Sequence, residues 1–360
     1  MHLSDFEYEL PEELIAQQPL EQRDASRMLI LDRETQILTD SKFESLPEYL
    51  RDGDVVVVNN TRVFPARLIG QRHPSGGRVE VLLVREVEAS TSLTSLIKQN
   101  GGAFSVWEAL VRPAHKLKEG AQVRFANSSL RAELLGSSTE GLRLLKFEGD
   151  KPLESLFNES GQTPLPPYIR RPSGTSAADR ERYQTVFARE KGAIAAPTAG
   201  LHFTPDVIKA VGNRNARIVE ITLHVGYGTF EPVRVDNIEE HLVAPEFFRI
   251  DEEAAAVIND ARAQGSRIIA IGTTTTRALE SAVNAEGMIE AVGRETRLTI
   301  TPGYKFRVTD ALLTNFHLPR SSLLLLVSAF AGRDLTLAAY RHAVAARFRF
   351  YSYGDCMFVI

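Results

Sequence analysis

Asp52-Gly53-Asp54-Val55-Val56-Val57-Val58-Asn59-Asn60-Thr61-Arg62 decides the fold. Four consecutive β-branched residues with no polar residue among them suit a strand buried on both faces, and such strands belong to sheets covered by helices. Asp52-Gly53-Asp54 turns into the strand and Asn59-Asn60 ends it. Polar groups at the carboxyl end of a buried strand stand where α/β proteins place ligands. They also serve simply to satisfy the strand end. Arg62 has nothing local to pair with, which favours a ligand.

Three further apolar runs end in the same way. Arg217-Ile218-Val219-Glu220-Ile221-Thr222-Leu223 alternates as a strand and runs into His224-Val225-Gly226-Tyr227-Gly228-Thr229-Phe230-Glu231. Gly226 and Gly228 allow close backbone approach, but the third glycine and the helix of a dinucleotide fold are missing. Arg267-Ile268-Ile269-Ala270-Ile271-Gly272 predicts a buried strand, and Thr273-Thr274-Thr275-Thr276-Arg277 starts a helix. That start is an anion or polar-ligand site without a P-loop lysine, or plain N-capping. Leu312-Leu313-Thr314-Asn315-Phe316-His317-Leu318-Pro319 is the third, with a buried helix or strand at 323–330. A tight loop of small residues, Ala195-Ala196-Pro197-Thr198-Ala199-Gly200-Leu201-His202-Phe203-Thr204, has the same polar character and precedes a helix start at Pro205-Asp206. Residues 251–265 predict another helix.

Residues 68–150 differ in texture. Short strands at 79–84, 107–111, 122–125 and 142–147, with little helix signal, predict a small all-β module of barrel type. The polar stretch 90–102 reads as a long loop. Two domains follow: an α/β body with a mixed sheet, from 1–67 and 151–360, and the inserted barrel at 68–150. From 163 to 172 the chain is proline-locked and extended. Arg170, Arg171, Arg180 and Arg182, interleaved with Tyr183 and Phe187, suit single-stranded RNA, where guanidinium meets phosphate and rings stack on bases. A solvated charged helix is the plainer alternative.

The 360 residues carry a formal charge of −4, with the acidic excess in the first 60. One cysteine, Cys356, excludes an internal disulfide or a cysteine-based metal cluster. The N-terminus lacks a signal-peptide apolar stretch, and the longest apolar run, 323–327, is far short of the ~20 residues of a membrane span. A soluble, cytoplasmic, monomeric protein is expected.

The runs 195–204, 223–230, 272–280 and 314–319, together with 59–68 and 167–170, resemble the S-adenosylmethionine:tRNA ribosyltransferase-isomerase family of queuosine biosynthesis, over the whole chain. The resemblance implies an α/β domain with an inserted β-barrel. It implies transfer and isomerisation of the ribosyl part of S-adenosylmethionine onto 7-aminomethyl-7-deazaguanine at the tRNA wobble position. Epoxyqueuosine-tRNA forms, and adenine and methionine leave. The tRNAs would carry GUN anticodons, and neither metal nor redox cofactor is required.

That reaction needs a base for a proton beside the sulfonium, a donor to the departing adenine, and a neutral attacking amine. His202 and His224 are the leading base candidates, with Glu231 or Thr198 orienting them; His317 is a further candidate and His241 a weaker one. Thr198, Gly226, Gly228, Thr273 and Thr274 are expected to bind S-adenosylmethionine. Asn60, Arg62, Arg277 and Asn315 are expected on its carboxylate or ribose hydroxyls. Arg170, Arg171, Arg180 and Arg182 are expected on tRNA. A non-catalytic RNA-binding protein and a transferase acting on a free nucleoside are the rival readings.

Overall fold

A computed structural model describes residues 1–87, 104–138, 141–172, 174–230 and 233–360. The stretch 90–102 and Glu231 lie outside the described residues. The valine run sits inside a nine-stranded mixed sheet. Its strands are β1 (Arg27–Leu31), β2 (Leu38–Lys42), β3 (Val55–Asn59), β4 (Arg217–Leu223), β5 (Glu246–Ile250), β6 (Ile268–Ile271), β7 (Val292–Thr296), β8 (Ala311–Asn315) and β9 (Cys356–Val359), in the order β7-β5-β4-β3-β6-β8-β9-β1-β2. β4, β3, β6 and β8 run parallel to one another, so their carboxyl ends share one edge. β5 and β7 extend the sheet antiparallel beyond β4, and β9 joins β8 antiparallel.

All five residues of β3 are buried, as a strand covered on both faces requires. Alternate residues of the parallel strands and of β1 and β9, among them Val56, Val58, Ile269, Ile271 and Leu313, face one core cluster with Val207 and Val211 of helix α1 (Pro205–Asn213). Helices α2 (Glu252–Ala263) and α3 (Thr273–Ala282) contact β4 and β6 but contribute nothing to that cluster, so they cover the opposite face. Sequence sets the helix starts directly. Thr204, Asp251 and Ser321 each accept a first-turn amide, from Val207 at 3.3 Å, Ala254 at 2.8 Å and Leu324 at 3.3 Å. Ser321 caps α4 (Ser322–Ala331), which turns through 115° into α5 (Arg333–Ala345). No single helix among the described residues is long and apolar enough to cross a membrane.

Side chains finish the sheet at both ends of β3. Asp54, 1% exposed, takes Arg51 N at 2.8 Å and the Arg267 guanidinium at 2.6 and 3.2 Å. Asn59 Oδ1 accepts from the amides of Leu223 and Thr61, both at 3.0 Å, while its Nδ2 donates to Leu223 O at 2.9 Å.

Two compact units make up the chain. One comprises Met1–Arg62, Pro166–Arg170 and Arg182–Ile360, and holds the mixed sheet. The other comprises Val63–Leu165 and Arg171–Glu181. It is a closed six-stranded antiparallel barrel of Arg67–His73, Arg78–Glu86, Phe104–Arg112, Arg143–Glu148, Arg131–Ser137 and Gln122–Phe125, the first strand pairing with the last. The α/β class with an inserted barrel is therefore as the sequence predicts. Two barrel strands escaped that reading: Arg67–His73 and Arg131–Ser137 are short of apolar residues and expose several of their side chains.

Truncating Ile269, fully buried in the β6 core, is expected to lower stability by about 2–5 kcal/mol. Met288→Ala, at a side chain 46% exposed, is expected to stay within about 0.5 kcal/mol; urea denaturation checks both.

Candidate active site

The site begins where the parallel strands stop. Gly272 follows β6 with φ 94°, a conformation that glycine takes without strain, and a Cβ placed on it would lie 3.5 Å from Ala199. That turn brings the 195–199 loop against the start of α3. β8 leads straight into Asn315-Phe316-His317. Together 195–199, 272–274 and 314–321 wall a cavity of about 450 Å³, with Tyr168, Tyr183, Tyr351 and Ser352 across it. A cavity of this size suits a nucleoside-scale ligand.

The four consecutive threonines divide by position. Thr275 and Thr276 turn back onto their own helix, donating to Ile271 O at 2.7 Å and Gly272 O at 3.1 Å. Thr273 and Thr274 line the cavity. No side chain caps α3, so its first-turn amides and positive dipole end meet the cavity, an arrangement that suits a carboxylate.

Thr198 Oγ1 donates to Asn315 Oδ1 at 2.8 Å, and both residues line the cavity. Behind them, His202 is 4% exposed and engaged at both ring nitrogens: Nε2 lies 3.2 Å from Asn315 Nδ2 and Nδ1 lies 2.7 Å from Ser26 Oγ. Burial lowers its pKa to about 4. It is not on the cavity wall. His317 is the wall's one imidazole among the described residues. Its Nε2 lies 2.8 Å from Thr314 Oγ1, the Tyr340 hydroxyl takes its backbone amide at 3.1 Å, and the Tyr8 hydroxyl donates to its carbonyl. Burial drives its pKa to about 3, so the ring is neutral at physiological pH.

Other expected site residues stand elsewhere. His224 Nδ1 is 2.8 Å from Thr61 Oγ1 and its ring stacks on Phe247 at 5.9 Å; burial lowers its pKa. Asn60 Oδ1 accepts from Thr222 Oγ1 at 2.8 Å, a strand-end role, and Arg62 is exposed. Arg277, 8% exposed, pairs with Glu246 and donates to Leu298 O at 2.9 Å. Glu246 also takes the Gly226 amide at 2.8 Å. Gly228 packs against Ala244. None of these six lines the main cavity. His241 bonds Ser322 Oγ at 2.7 Å.

Among the arginines expected on RNA, Arg171 is clamped by Asp179 at 2.9–3.1 Å. Exposed Arg170 pairs with Glu12, exposed Arg180 donates to Asn158 Oδ1 at 2.8 Å, and Arg182 donates to Leu20 O. Tyr183 and Phe187, read as RNA-stacking rings, are buried instead. Sequence reasoning missed Tyr351 and Ser352, which no motif marks; Tyr168 Oη lies 2.6 Å from Ser352 Oγ, and its ring centroid 4.0 Å from that of Tyr351. Among the described residues no group of three His, Cys, Asp or Glu could hold a metal ion.

A family model described as "Queuosine biosynthesis protein" matches residues 3–359. A protein of Moorella thermoacetica named S-adenosylmethionine:tRNA ribosyltransferase-isomerase is 48% identical over 361 residues, covering all of both chains. One of the same name from Natranaerobius thermophilus is 45% identical over 359 residues, covering 100% of this chain and 99% of the relative. The crystal structure of an S-adenosylmethionine tRNA ribosyltransferase from Thermotoga maritima is 35% identical, with a TM-score of 0.53 and coverage of 99% of this chain and 100% of that one. Agreement of this extent across the α/β unit, the barrel and the cavity segments alike means that the chain belongs to the queuosine biosynthesis family, the transferases named S-adenosylmethionine:tRNA ribosyltransferase-isomerases.

Proposed function

We propose that the cavity binds S-adenosylmethionine and that the chain moves its ribosyl group onto 7-aminomethyl-7-deazaguanine at the wobble position of GUN-anticodon tRNA, isomerising it to the epoxy-cyclopentanediol of epoxyqueuosine and releasing adenine and methionine. One observation carries this reading: strand-end segments far apart in sequence converge on a single cavity of about 450 Å³. In it, the methionyl carboxylate meets the open start of α3 at Thr273 and Thr274. Thr198 and Asn315 address the polar edge of the nucleoside. The rings of Tyr168 and Tyr351 offer faces to a purine or to the sulfonium. The target nucleobase leaves its stack to reach the cavity.

Proton transfer is placed at His317 rather than at His202 or His224, because neither of those lines the wall and no Asp or Glu among the described residues does. Neutral His317 has a lone pair on one ring nitrogen and a proton on the other, and Thr314 orients it. Arg170, Arg180 and Arg182 are the proposed phosphate contacts. Arg171 orders its own segment through Asp179.

Incubation of the chain with S-adenosylmethionine and deazaguanine-modified tRNA is expected to release adenine and methionine by chromatography. Appearance of S-adenosylhomocysteine, or turnover without tRNA, points to the free-nucleoside transferase instead. His317→Gln is expected to lower kcat by roughly 10²–10⁴. Because the neutral ring is the competent form and protonates only near pH 3 in the free protein, kcat/KM is expected to show no acid limb from this residue between pH 5 and 8. A tenfold fall per pH unit below about 6.5 would assign the step to an unburied histidine. Arg170→Ala is expected to reduce the slope of log Kd for tRNA against log salt by about one, measured by filter binding.

A further inference from the structure

His202, Asn315 and Thr198 form a hydrogen-bonded chain that begins at a backbone carbonyl and ends at the cavity. Ser26 Oγ has one proton and two acceptors in reach, Arg23 O at 3.2 Å and His202 Nδ1 at 2.7 Å; Asn315 decides between them, because its Nδ2 faces Asp355 O, a carbonyl that only accepts, at 3.4 Å. With that Nδ2 as donor toward His202 Nε2, Nδ1 carries the hydrogen and Ser26 accepts it. In a neutral imidazole this leaves Nε2 as a lone pair, and burial keeps the ring neutral down to about pH 4. Nε2 accepts from Asn315 Nδ2 at 3.2 Å, and the same Nδ2 faces Asp355 O at 3.4 Å. Two acceptors on that side fix the amide. Turning it over would set Oδ1 against a lone pair and a carbonyl. Oδ1 thus faces Thr198, whose hydroxyl spends its single proton on it at 2.8 Å. What Thr198 has left for the cavity is lone pairs.

We propose that Thr198 is an acceptor-only specificity residue of the cavity, and that His202 is the positioning residue which sets this polarity through Asn315. The site then takes an N–H or O–H of the ligand at Thr198 and disfavours a ligand acceptor there. This rests on the reading that the cavity binds S-adenosylmethionine, which offers such donors in its adenine amine, its ribose hydroxyls and its ammonium group. His202 acts at one remove from the ligand, which accounts for a polar residue buried behind the wall rather than in it.

Calorimetric titration of the full chain with S-adenosylmethionine tests it. Thr198→Val keeps the shape and removes the acceptor; affinity is expected to fall about tenfold, the cost of leaving a ligand donor unpaired. Thr198→Ser is expected to recover most of that loss. His202→Ala frees the amide and is expected to weaken binding to a similar degree. His202→Gln, whose amide can donate to Ser26 and accept from Asn315, is expected to recover part. In the His202→Ala/Thr198→Val double variant the two losses do not multiply, because one acts through the other, whereas a purely structural histidine gives multiplying losses. Wild-type affinity in Thr198→Val, or multiplying losses, overturns the proposal while leaving the cavity's ligand intact. A wild-type chain that takes up no S-adenosylmethionine at millimolar concentration ends both. If His202→Ala does not fold, Thr198→Val against Thr198→Ser decides the matter alone.

Discussion

The carboxamide of Asn59 does for β3 and β4 what the backbone ladder no longer can at the end of the sheet. Strands buried on both faces have to account for every amide and carbonyl at their ends, since an unpaired one costs about 1–3 kcal/mol. Asn59 pairs with both backbone groups of Leu223 and with Thr61 N, and Asn60 with Thr222. This part of the edge is closed by the protein itself. Further along, Gly272 N pairs with Leu313 O at 2.7 Å and Asn315 with Thr198, and a cavity opens beyond β6 and β8. The α3 amides have no side-chain cap, and Thr198 and His317 face open space. The cavity lies where the strand ends and the uncapped start of α3 meet without closing on each other.

The loop after β4 is fixed by a different device. Arg277 and Glu246 form a buried pair, and Glu246 also holds the Gly226 amide. Breaking such a pair leaves an uncompensated buried charge. The pair ties α3, β5 and the Gly226 turn into one rigid block, with Val225 on the cavity wall. Arg277 thus braces the turn beside the cavity and is not among the residues that line it.

The parallel core was legible because β-branched runs such as Val55–Val58 and 268–271 leave no other reading. The strands that join antiparallel were not: β5 reads Glu-Phe-Phe-Arg-Ile, too mixed to separate from loop, and β9 is four apolar residues, Cys-Met-Phe-Val, with no polar alternation to mark it. For the cavity the same division holds. Thr198, Thr273, Thr274, Asn315 and His317 stand within a few residues of a strand end or in the small-residue loop, so local sequence finds them. Tyr351 and Ser352 reach the wall only because the chain end returns through β9, and Tyr183 because its charged segment turns a ring inward. His202 and His224 carry the same local signature as His317. What separates them is the tertiary partner, Ser26 and Asn315 for one, Thr61 and Phe247 for the other, and sequence spacing contains neither.

Under the proposed function, the composition of the wall bears on the chemistry. A sulfonium is a fixed cation, and a carboxylate beside it would bind the ground state tightly and blunt the acidity of the neighbouring C–H. Binding energy of that kind lowers KM without lowering the barrier. Among the described residues the wall has no Asp or Glu; its polar side chains are hydroxyls, an amide, a neutral imidazole and Arg320, which pairs with Glu7. Such groups hold a cation weakly and leave its charge free to act on the ribose. The burial that keeps His317 neutral comes from the same wall, which among the described residues offers the ring no carboxylate, so holding the substrate loosely and keeping the imidazole neutral are two consequences of one choice of residues.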